Sequence, residues 1–368
     1  MIPIYKTYIS KASVEYAHEA ISSTWISSIG KYIDLASEKL SDLCEVKYAL
    51  LTNNGTSATH LVSKSLKRYN PNIKRVLVPS SCYVAAYNSL IYDNNDWEIH
   101  CVDLDLDTWN MNVEDVRPDD AIFAVHNLGN IINVPELIER TGCVIIEDNC
   151  EGMFGQYSGA PAGSKSYCSS LSFFGNKNIT CGEGGALLTN NEEVYKFSKK
   201  VLGQGQTDKR YIHDEVGYNY RMTNIQAAIL LGQLEDADRI IENKKRVFNR
   251  YRENLSNTGG ISLQICEENT THSNWMFGVR LHGSQGYEQA REHFYELGVE
   301  TRPMFYPYTM HKHLKFQGKT NISELLNKEV AIFPSYPDLS NREIDYICES
   351  IMGFQNKGRR KKYEDYKI

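Results

Sequence analysis

The amino-acid sequence predicts an α/β protein built around a mostly parallel β-sheet. Short apolar runs of strand length alternate with segments of helical periodicity, which is typical of consecutive β-α-β units. The run at 143–146 is apolar at every position instead of every second one, as expected of a strand that is buried on both faces of a parallel sheet. The clearest of these strands are predicted at residues 76–79, 99–102, 121–125 and 143–146.

The other elements follow from turn and cap signals along the chain. An extended segment is expected at residues 1–12, after which Ser13 is a suitable N-cap because its hydroxyl can accept a free backbone N–H. A polar loop is expected at residues 204–214. Helices are predicted at 13–23, 30–43, 56–66, 192–203, 223–239, 242–255, 287–297 and 341–354, and further strands at 47–51, 171–174, 186–189 and 274–280.

Composition excludes several classes of protein. The 368 residues carry a formal net charge of −6, which leaves no basic face for nucleic acid. No apolar run approaches the ~18 residues that a membrane helix needs, and the first residues lack a signal-peptide pattern. Nine cysteines without a C-x-x-C pair, and no histidines at metal-ligand spacing, predict reduced thiols, a cytoplasmic location and no metal site.

One lysine, Lys177, stands in the middle of the stretch S-F-F-G-N-K-N-I-T-C-G-E-G-G at residues 172–185. The stretch connects the predicted strands at 171–174 and 186–189. A lysine in such a loop is usually a solvated surface charge. Two further motifs favour a functional amine instead.

The first motif is Glu147-Asp148, directly after the strand at 143–146. Open α/β sheets bind ligands at the carboxyl ends of their strands, where a carboxylate can hold a cationic ring nitrogen, although it can equally cap the next helix. The second is N-G-T-S-A at 54–58, where the start of a helix favours an anion. An amine, a carboxylate and a phosphate cradle are together the requirements for holding pyridoxal phosphate.

The chain resembles the DegT/DnrJ/EryC1/StrS sugar aminotransferases, a group of fold-type I pyridoxal-phosphate enzymes. Further matching stretches are S-T-W-I-S-S at 23–28, G-Y-N-Y-R-M at 217–222, T-R-P at 301–303 and P-S-Y-P at 334–337. The resemblance implies an aspartate-aminotransferase-like fold, with a mostly parallel seven-stranded sheet in a large domain and a smaller α+β C-terminal domain.

We place the large, cofactor-binding domain at residues 1–241, with its segment 1–12 near the small domain, and the small domain at residues 242–356. The charged helix at 242–255 is expected to link them. Residues 357–368 are charged and are predicted to form a disordered tail.

The resemblance also implies the site residues. Lys177 is the catalytic residue, which forms a Schiff base with the cofactor and acts as general base. The other residues implied in cofactor binding are Gly55, Thr56, Ser57, Tyr83, Asp148, Glu151, Ser172 and Asn219. Those implied in substrate binding are Trp25, Ser28, Arg221 and Arg302.

Several of these roles have a physical basis. Tyr83 would stack on the pyridine ring and hold its tilt, while Asn219 would cross to the partner's cofactor phosphate, which implies a homodimer with shared active sites. Glu151 would face the phenolic oxygen, which a carboxylate repels unless it is protonated or set back. His126 is assigned no catalytic role.

The activity implied is transfer of an amino group from L-glutamate to C4 of a nucleotide-linked 4-keto-6-deoxy sugar. GDP-4-keto-6-deoxy-mannose, giving GDP-perosamine, is the first expectation. A dTDP- or UDP-4-keto-6-deoxy-glucose, giving a viosamine-type product, is the alternative, and amination at C3 of a 3-keto sugar is less favoured. A sugar dehydratase of the same fold would carry histidine in place of Lys177, and a pyridoxal-phosphate-sensing regulator would carry a DNA-binding domain ahead of the fold.

Overall fold

The structure is a computed structural model that describes residues 1–93, 96–284 and 286–365, with side chains described up to residue 355. Its helices, in chain order, are α1 (Lys11–Ser22), α2 (Lys31–Leu43), α3 (Gly55–Tyr69), α4 (Val84–Ile91), α5 (Val134–Thr141), α6 (Glu192–Leu202), α7 (Asn224–Glu235), α8 (Ala237–Leu255), α9 (Tyr287–Glu296), α10 (Asn321–Glu329) and α11 (Asn341–Asp365).

The strands, in chain order, are β1 (Tyr48–Thr52), β2 (Arg75–Pro79), β3 (Glu98–Val102), β4 (Asp120–Val125), β5 (Val144–Asp148), β6 (Gln156–Tyr157), β7 (Ala160–Pro161), β8 (Cys168–Ser172), β9 (Gly185–Thr189), β10 (Ile261–Leu263), β11 (Thr270–Thr271), β12 (Phe277–Leu281), β13 (Arg302–Pro303), β14 (Gln317–Gly318) and β15 (Val330–Phe333).

The central sheet has the strand order β1-β9-β8-β5-β4-β2-β3-β14. The pairs from β8 through β5, β4, β2 and β3 to β14 are parallel, and β9 is antiparallel to both of its neighbours. The prediction of an α/β protein with a mostly parallel sheet is therefore confirmed. Seven strands have five or six residues each, and the eighth, β14, is a two-residue strand from the C-terminal part of the chain.

Both faces of the central sheet are buried, as the apolar strands predict. Val76, Val78 and Phe123 belong to a core shared with α3, α4 and α6, whereas their chain neighbours Leu77 and Ile122 belong to a separate core that includes residues of α5. Successive residues of a strand point to opposite faces, so the alternation between cores means that helices cover the sheet on both sides.

The C-terminal part contains a four-stranded antiparallel sheet of order β10-β12-β15-β13. Helix α8 contributes Ala237 and Ile240 to a core beneath the central sheet, and Val247 and Phe248 to the core of this second sheet. The change of core lies close to the predicted boundary between residues 241 and 242. The domain division itself stays a prediction.

Several predicted element bounds were wrong. Ser10, not Ser13, is the N-cap of α1, and its Oγ accepts the Ser13 N–H at 3.0 Å. The predicted helix at 223–239 ends at Glu235 and a new helix begins at Ala237, because Asp236 has non-helical dihedral angles. The backbone of α11 continues to Asp365, so the predicted tail at 357–368 is helical over its described part, and residues 366–368 lie outside the described residues.

The extended N-terminal segment contacts the C-terminal part of the chain. Ile2 forms a bridge with Val299, and the backbone N–H of Ile4 donates to Glu300 Oε2 at 2.9 Å. All nine cysteines are free thiols. Within the described ranges, no cluster of metal-ligating side chains and no helix long and apolar enough to cross a membrane is present.

Candidate active site

Lys177 lies in the loop between β8 and β9, at the carboxyl end of β8. Phe173 closes this loop, since its N–H donates to Gly184 O at 2.8 Å and its carbonyl accepts from Cys181 N at 3.1 Å. The Lys177 N–H donates to Phe174 O at 2.9 Å, and the Lys177 carbonyl accepts from the Tyr5 hydroxyl at 2.9 Å. The backbone of the lysine is therefore fixed on both sides.

The side chain of Lys177 is enclosed instead of solvated, with 13% of it exposed. Its Nζ lies 3.9 Å from Glu151 Oε1 and 3.9 Å from the centre of the Trp275 ring. The Trp275 Nε1–H donates to Asn176 O at 2.9 Å, which holds the ring against the loop. An ammonium over an aromatic face is stabilised by the ring quadrupole, so this amine has a defined position.

Asp148 is buried at the carboxyl end of β5, the neighbour of β8 in the sheet. It pairs in register with Ser170 of β8, and its Oδ1 accepts the Cys150 N–H at 3.1 Å. The sheet thus brings the predicted acid and the loop that carries the predicted lysine to one edge, as expected for the carboxyl ends of parallel strands.

Glu151, which directly follows Cys150, is buried, and its Oε2 accepts the Leu128 N–H at 2.9 Å. Leu128 has φ 58°, a left-handed conformation that is unusual for leucine. Burial raises the pKa of Glu151 to about 7, against the lowering effects of Lys177 and the Leu128 N–H. A carboxyl group with this pKa is about half protonated at neutral pH, and in the protonated form it would not repel a phenolic oxygen.

The start of α3 packs directly onto β8 and β9. Asn54 caps the helix, its Oδ1 accepting the Ser57 N–H at 2.9 Å, and Thr56 is exposed at the helix start. A Cβ added at Gly55 would lie 2.6 Å from Ser172 Cβ, and one added at Gly185 would lie 2.5 Å from Asn54 O. Only glycine permits this approach, which brings the N-terminal turn of α3 to the strand that precedes Lys177.

Residues 217–222, here called the GYNYRM segment, run beside the same helix start. The Asn53 N–H donates to Tyr220 O at 2.8 Å, Asn53 Nδ2 donates to Asn219 O at 3.4 Å, and Thr52 forms a bridge with Arg221. The Asn219 side chain is exposed next to α3. Arg221 Nε donates to Ser28 Oγ at 3.2 Å, so two of the predicted substrate-binding residues meet.

Three predicted site residues lie more openly. Trp25 and Tyr83 are each 58% exposed, and the Tyr83 ring lies 6.2 Å from that of Phe305. Arg302 forms an ion pair with Glu300, Nη2 to Oε1 at 2.6 Å, and donates to Thr301 O. The contacts of Arg302 in this structure are therefore with its own neighbours, and its role at the substrate entrance stays a prediction.

Two residues that contact Lys177 were not predicted from the sequence to belong to the site. Trp275 was assigned only to a strand, and Tyr5 only to an extended segment, because neither is near Lys177 in the chain. His126 has a structural environment, consistent with the absence of a catalytic assignment. It is fully buried, its Nε2 is 2.8 Å from Glu147 Oε2, and its Nδ1 accepts the Ile132 N–H at 3.2 Å.

The residues of the site fit pyridoxal phosphate. The turn at Gly55 offers backbone N–H groups to a phosphate, the Asp148 carboxylate suits a pyridinium nitrogen, and Lys177 supplies an enclosed amine. The close packing of Gly55 on Gly185 holds this turn against β9.

The comparisons with known proteins agree with this chemistry. The model of the DegT/DnrJ/EryC1/StrS aminotransferase family matches residues 7–352. The chain therefore belongs to this family. It is an aminotransferase of the pyridoxal-phosphate-dependent, sugar-modifying class, with the fold-type I architecture.

Individual relatives match the chain over almost its whole length. A GDP-perosamine synthase of Escherichia coli O157:H7 is 36% identical over 363 residues, covering 96% of this chain and 98% of that protein. A GDP-perosamine synthase of Vibrio cholerae is 32% identical over 380 residues, covering 97% and 100%. Among solved structures, the E. coli GDP-4-keto-6-deoxy-D-mannose-3-dehydratase with bound hydrated pyridoxal phosphate matches with a TM-score of 0.88 at 21% identity, covering 95% of this chain and 99% of that one. This last likeness is one of fold.

Replacing Gly185 with alanine is expected to weaken cofactor binding. The new Cβ would meet Asn54 O and Gly55 Cα, both backbone atoms, so the start of α3 must move away from β9. We expect the Kd for pyridoxal phosphate, measured by absorbance titration of the cofactor-free protein, to rise at least tenfold. Gly175→Ala is the matched control, because a Cβ at Gly175 in the Lys177 loop meets no atom within 4 Å. Equal Kd values for the two variants would contradict the cradle.

Replacing Glu151 with glutamine is expected to flatten part of the pH dependence of stability. The folded protein holds the Glu151 proton up to a pKa of about 7, above the ordinary value of 4.5, so its stability falls as pH rises between these values. The free energy of unfolding of the cofactor-free protein is measured with denaturant at pH 5.5 and at pH 8. Between these pH values the wild type should lose roughly 2 kcal/mol more of it than Glu151→Gln, since one pKa unit is about 1.4 kcal/mol. An exposed-site control, Glu253→Gln, should behave like the wild type. Parallel pH profiles for the wild type and Glu151→Gln would refute a perturbed carboxyl.

Proposed function

We propose that this aminotransferase transfers the amino group of L-glutamate to C4 of a nucleotide-linked 4-keto-6-deoxy sugar. The proposed substrate is GDP-4-keto-6-deoxy-mannose and the product GDP-perosamine. Two relatives that cover almost the whole chain at 36% and 32% identity carry the name GDP-perosamine synthase, which supports this choice of sugar. The observation that carries the reaction type is the enclosed Lys177 amine, 3.9 Å from Glu151.

Lys177 is the proposed catalytic residue. Bound pyridoxal phosphate supplies an electron sink for the pair released when the donor's Cα–H bond breaks. The Lys177 Nζ is proposed to take that proton from the donor Cα and to return a proton to C4 of the sugar in the second half of the reaction. A base of this kind contributes roughly 10²- to 10⁴-fold to the rate.

The two buried carboxyl groups have different proposed tasks. Asp148 would hold the proton of the ring nitrogen, because an ionised carboxylate at a strand end stabilises a cation. Glu151 would face the phenolic oxygen as an acid, since burial raises its pKa to about 7 and the protonated form donates a hydrogen bond instead of repelling the oxygen.

The remaining predicted residues are proposed to bind either the cofactor or the nucleotide sugar. Gly55, Thr56, Ser57 and Ser172 would hold the phosphate from this chain. Asn219 would hold it from the partner of a homodimer with shared active sites, and Tyr83 would stack on the ring. Trp25, Ser28, Arg221 and Arg302 are proposed to line the path of the nucleotide sugar. A cytoplasmic location stays a prediction from composition.

Lysine at position 177 favours transamination over dehydration. The dehydratases of this fold are expected to carry histidine there, and a histidine cannot form the covalent link that an amine forms. The alternative within transamination is a viosamine-type product from a dTDP- or UDP-linked sugar. The residues that contact the hexose come from several separate loops, and their sequence does not distinguish between these substrates.

A substrate panel tests the proposal. The purified enzyme is incubated with L-glutamate and, separately, GDP-, dTDP- and UDP-linked 4-keto-6-deoxy sugars, and products are identified by mass spectrometry. We expect an aminated product from the GDP-linked sugar and a loss of at least 10³-fold in Lys177→Ala, consistent with removal of a general base. Lys196→Ala is the matched control, because Lys196 is an exposed helix residue that pairs with Glu192.

Each other outcome of the panel would revise the proposal. Product from only the dTDP- or UDP-linked sugar would refute the perosamine assignment and retain transamination. Release of ammonia with a deoxygenated sugar would indicate a dehydratase. Turnover in Lys177→Ala equal to the wild type would remove Lys177 from the mechanism.

A further inference from the structure

A second polar cluster lies outside the cofactor site, between α3 and the GYNYRM segment. At its centre is Asp93, two residues after the end of α4. Its Oδ2 accepts from His60 Nε2 and Lys64 Nζ, both at 2.9 Å, and its Oδ1 accepts from the Tyr218 hydroxyl at 2.9 Å. His60 Nδ1 accepts from the Tyr220 hydroxyl at 3.1 Å. We call these five residues the Asp93 cluster.

The donors and acceptors of the Asp93 cluster match. Because the Asp93 carboxylate can only accept, the proton of the neutral His60 ring is on Nε2, and Nδ1 is left to accept from the Tyr220 hydroxyl. Burial alone would raise the pKa of Asp93, but the hydrogen bonds from Lys64, His60 and Tyr218 outweigh it and the pKa is lowered. The carboxylate is therefore ionised and accepts three bonds, which makes it the fixed point of the cluster.

The two tyrosines of the cluster are packed as well as hydrogen-bonded. The rings of Tyr218 and Tyr220 stack with centres 4.8 Å apart and planes 10° apart. The His60 ring meets that of Tyr218 edge-on at 5.2 Å, and Lys64 Nζ lies 5.4 Å from the Tyr218 ring centre. Hydroxyls and rings together hold both side chains against α3.

Successive side chains of the GYNYRM segment point alternately toward the Asp93 cluster and away from it. Tyr218 and Tyr220 face α3, whereas the residues between and after them, Asn219 and Arg221, point elsewhere: Asn219 is exposed and Arg221 reaches Ser28. Side chains alternate in this way along extended backbone. The segment is also bound through its backbone, with Tyr218 N–H donating to Val201 O at 2.7 Å.

We infer that Asp93 is a positioning residue for the active site. By fixing Tyr218 directly and Tyr220 through His60, it holds the GYNYRM segment on α3 and so directs Asn219 and Arg221 outward. The inference rests on the proposed roles of Asn219 in phosphate binding and Arg221 in sugar binding. Asp93 itself touches neither cofactor nor substrate.

The decisive variant is Asp93→Asn, which keeps the shape but faces the three donors with one oxygen and one NH₂ group. We expect the Kd for pyridoxal phosphate to rise about tenfold and the KM for the keto sugar to rise by a similar factor. The kcat at saturating cofactor and sugar should change less than twofold, because the chemical groups stay in place. Asp96→Asn is the matched control: Asp96 forms an exposed ion pair with Lys67 of α3, the helix that also carries His60 and Lys64, and its loss should leave all three values within twofold.

Two further variants make the result unambiguous. Tyr218→Phe removes one hydroxyl and keeps the stacked ring, so it should fold normally and raise the cofactor Kd about threefold, even if Asp93→Asn is unstable. Asn219→Ala, measured beside them, tests the proposed phosphate contact of Asn219 separately from the positioning role of Asp93. If it leaves the cofactor Kd unchanged, the proposed role of Asn219 is wrong. If it raises the Kd while Asp93→Asn and Tyr218→Phe stay within twofold of the wild type, the positioning role of Asp93 is wrong.

Discussion

The active site depends on one close approach of backbone, that of the first turn of α3 to strands β8 and β9. Gly55 and Gly185 make this possible, because a Cβ on either would overlap Ser172 or Asn54. The approach sets the N-terminal end of α3, the proposed phosphate site, next to the strand that leads into the Lys177 loop. Parallel pairing of β8 with β5 then adds Asp148 to the same edge. The strand order and the two glycines therefore bring most of the candidate site residues together.

The Lys177 side chain is largely shielded from solvent and has a charged partner, Glu151, nearby. The amine lies between the Trp275 ring and Glu151, and the carboxyl group is buried enough for its pKa to rise to about 7. In such surroundings protonation states respond strongly to neighbouring charges. The Asp93 cluster works under different conditions: its carboxylate is surrounded by donors and stays ionised, which suits an anchor better than a proton carrier.

The parts of the site that are local in sequence could be predicted from it. Lys177 between two apolar strands, Asp148 after a third and the N-G-T-S turn each carry their own signal, and the family motifs fixed their combination. Trp275 and Tyr5 could not be found this way, since their contacts with the Lys177 loop span 98 and 172 residues of chain respectively and depend on tertiary packing. The start of α1 was also missed. The hydroxyls of Ser10 and Ser13 both donate to carbonyls of α7, but it is Ser10 Oγ that accepts the Ser13 N–H and caps the helix.

The central claim is that Lys177 is the amine that binds pyridoxal phosphate. It is tested most directly by reducing the holoenzyme with borohydride, digesting it and locating the pyridoxyl group by mass spectrometry. We expect one labelled peptide, modified at Lys177, and no labelling there when pyridoxal phosphate is omitted. A pyridoxyl group on another lysine, or a cofactor that is released unreduced, would contradict it.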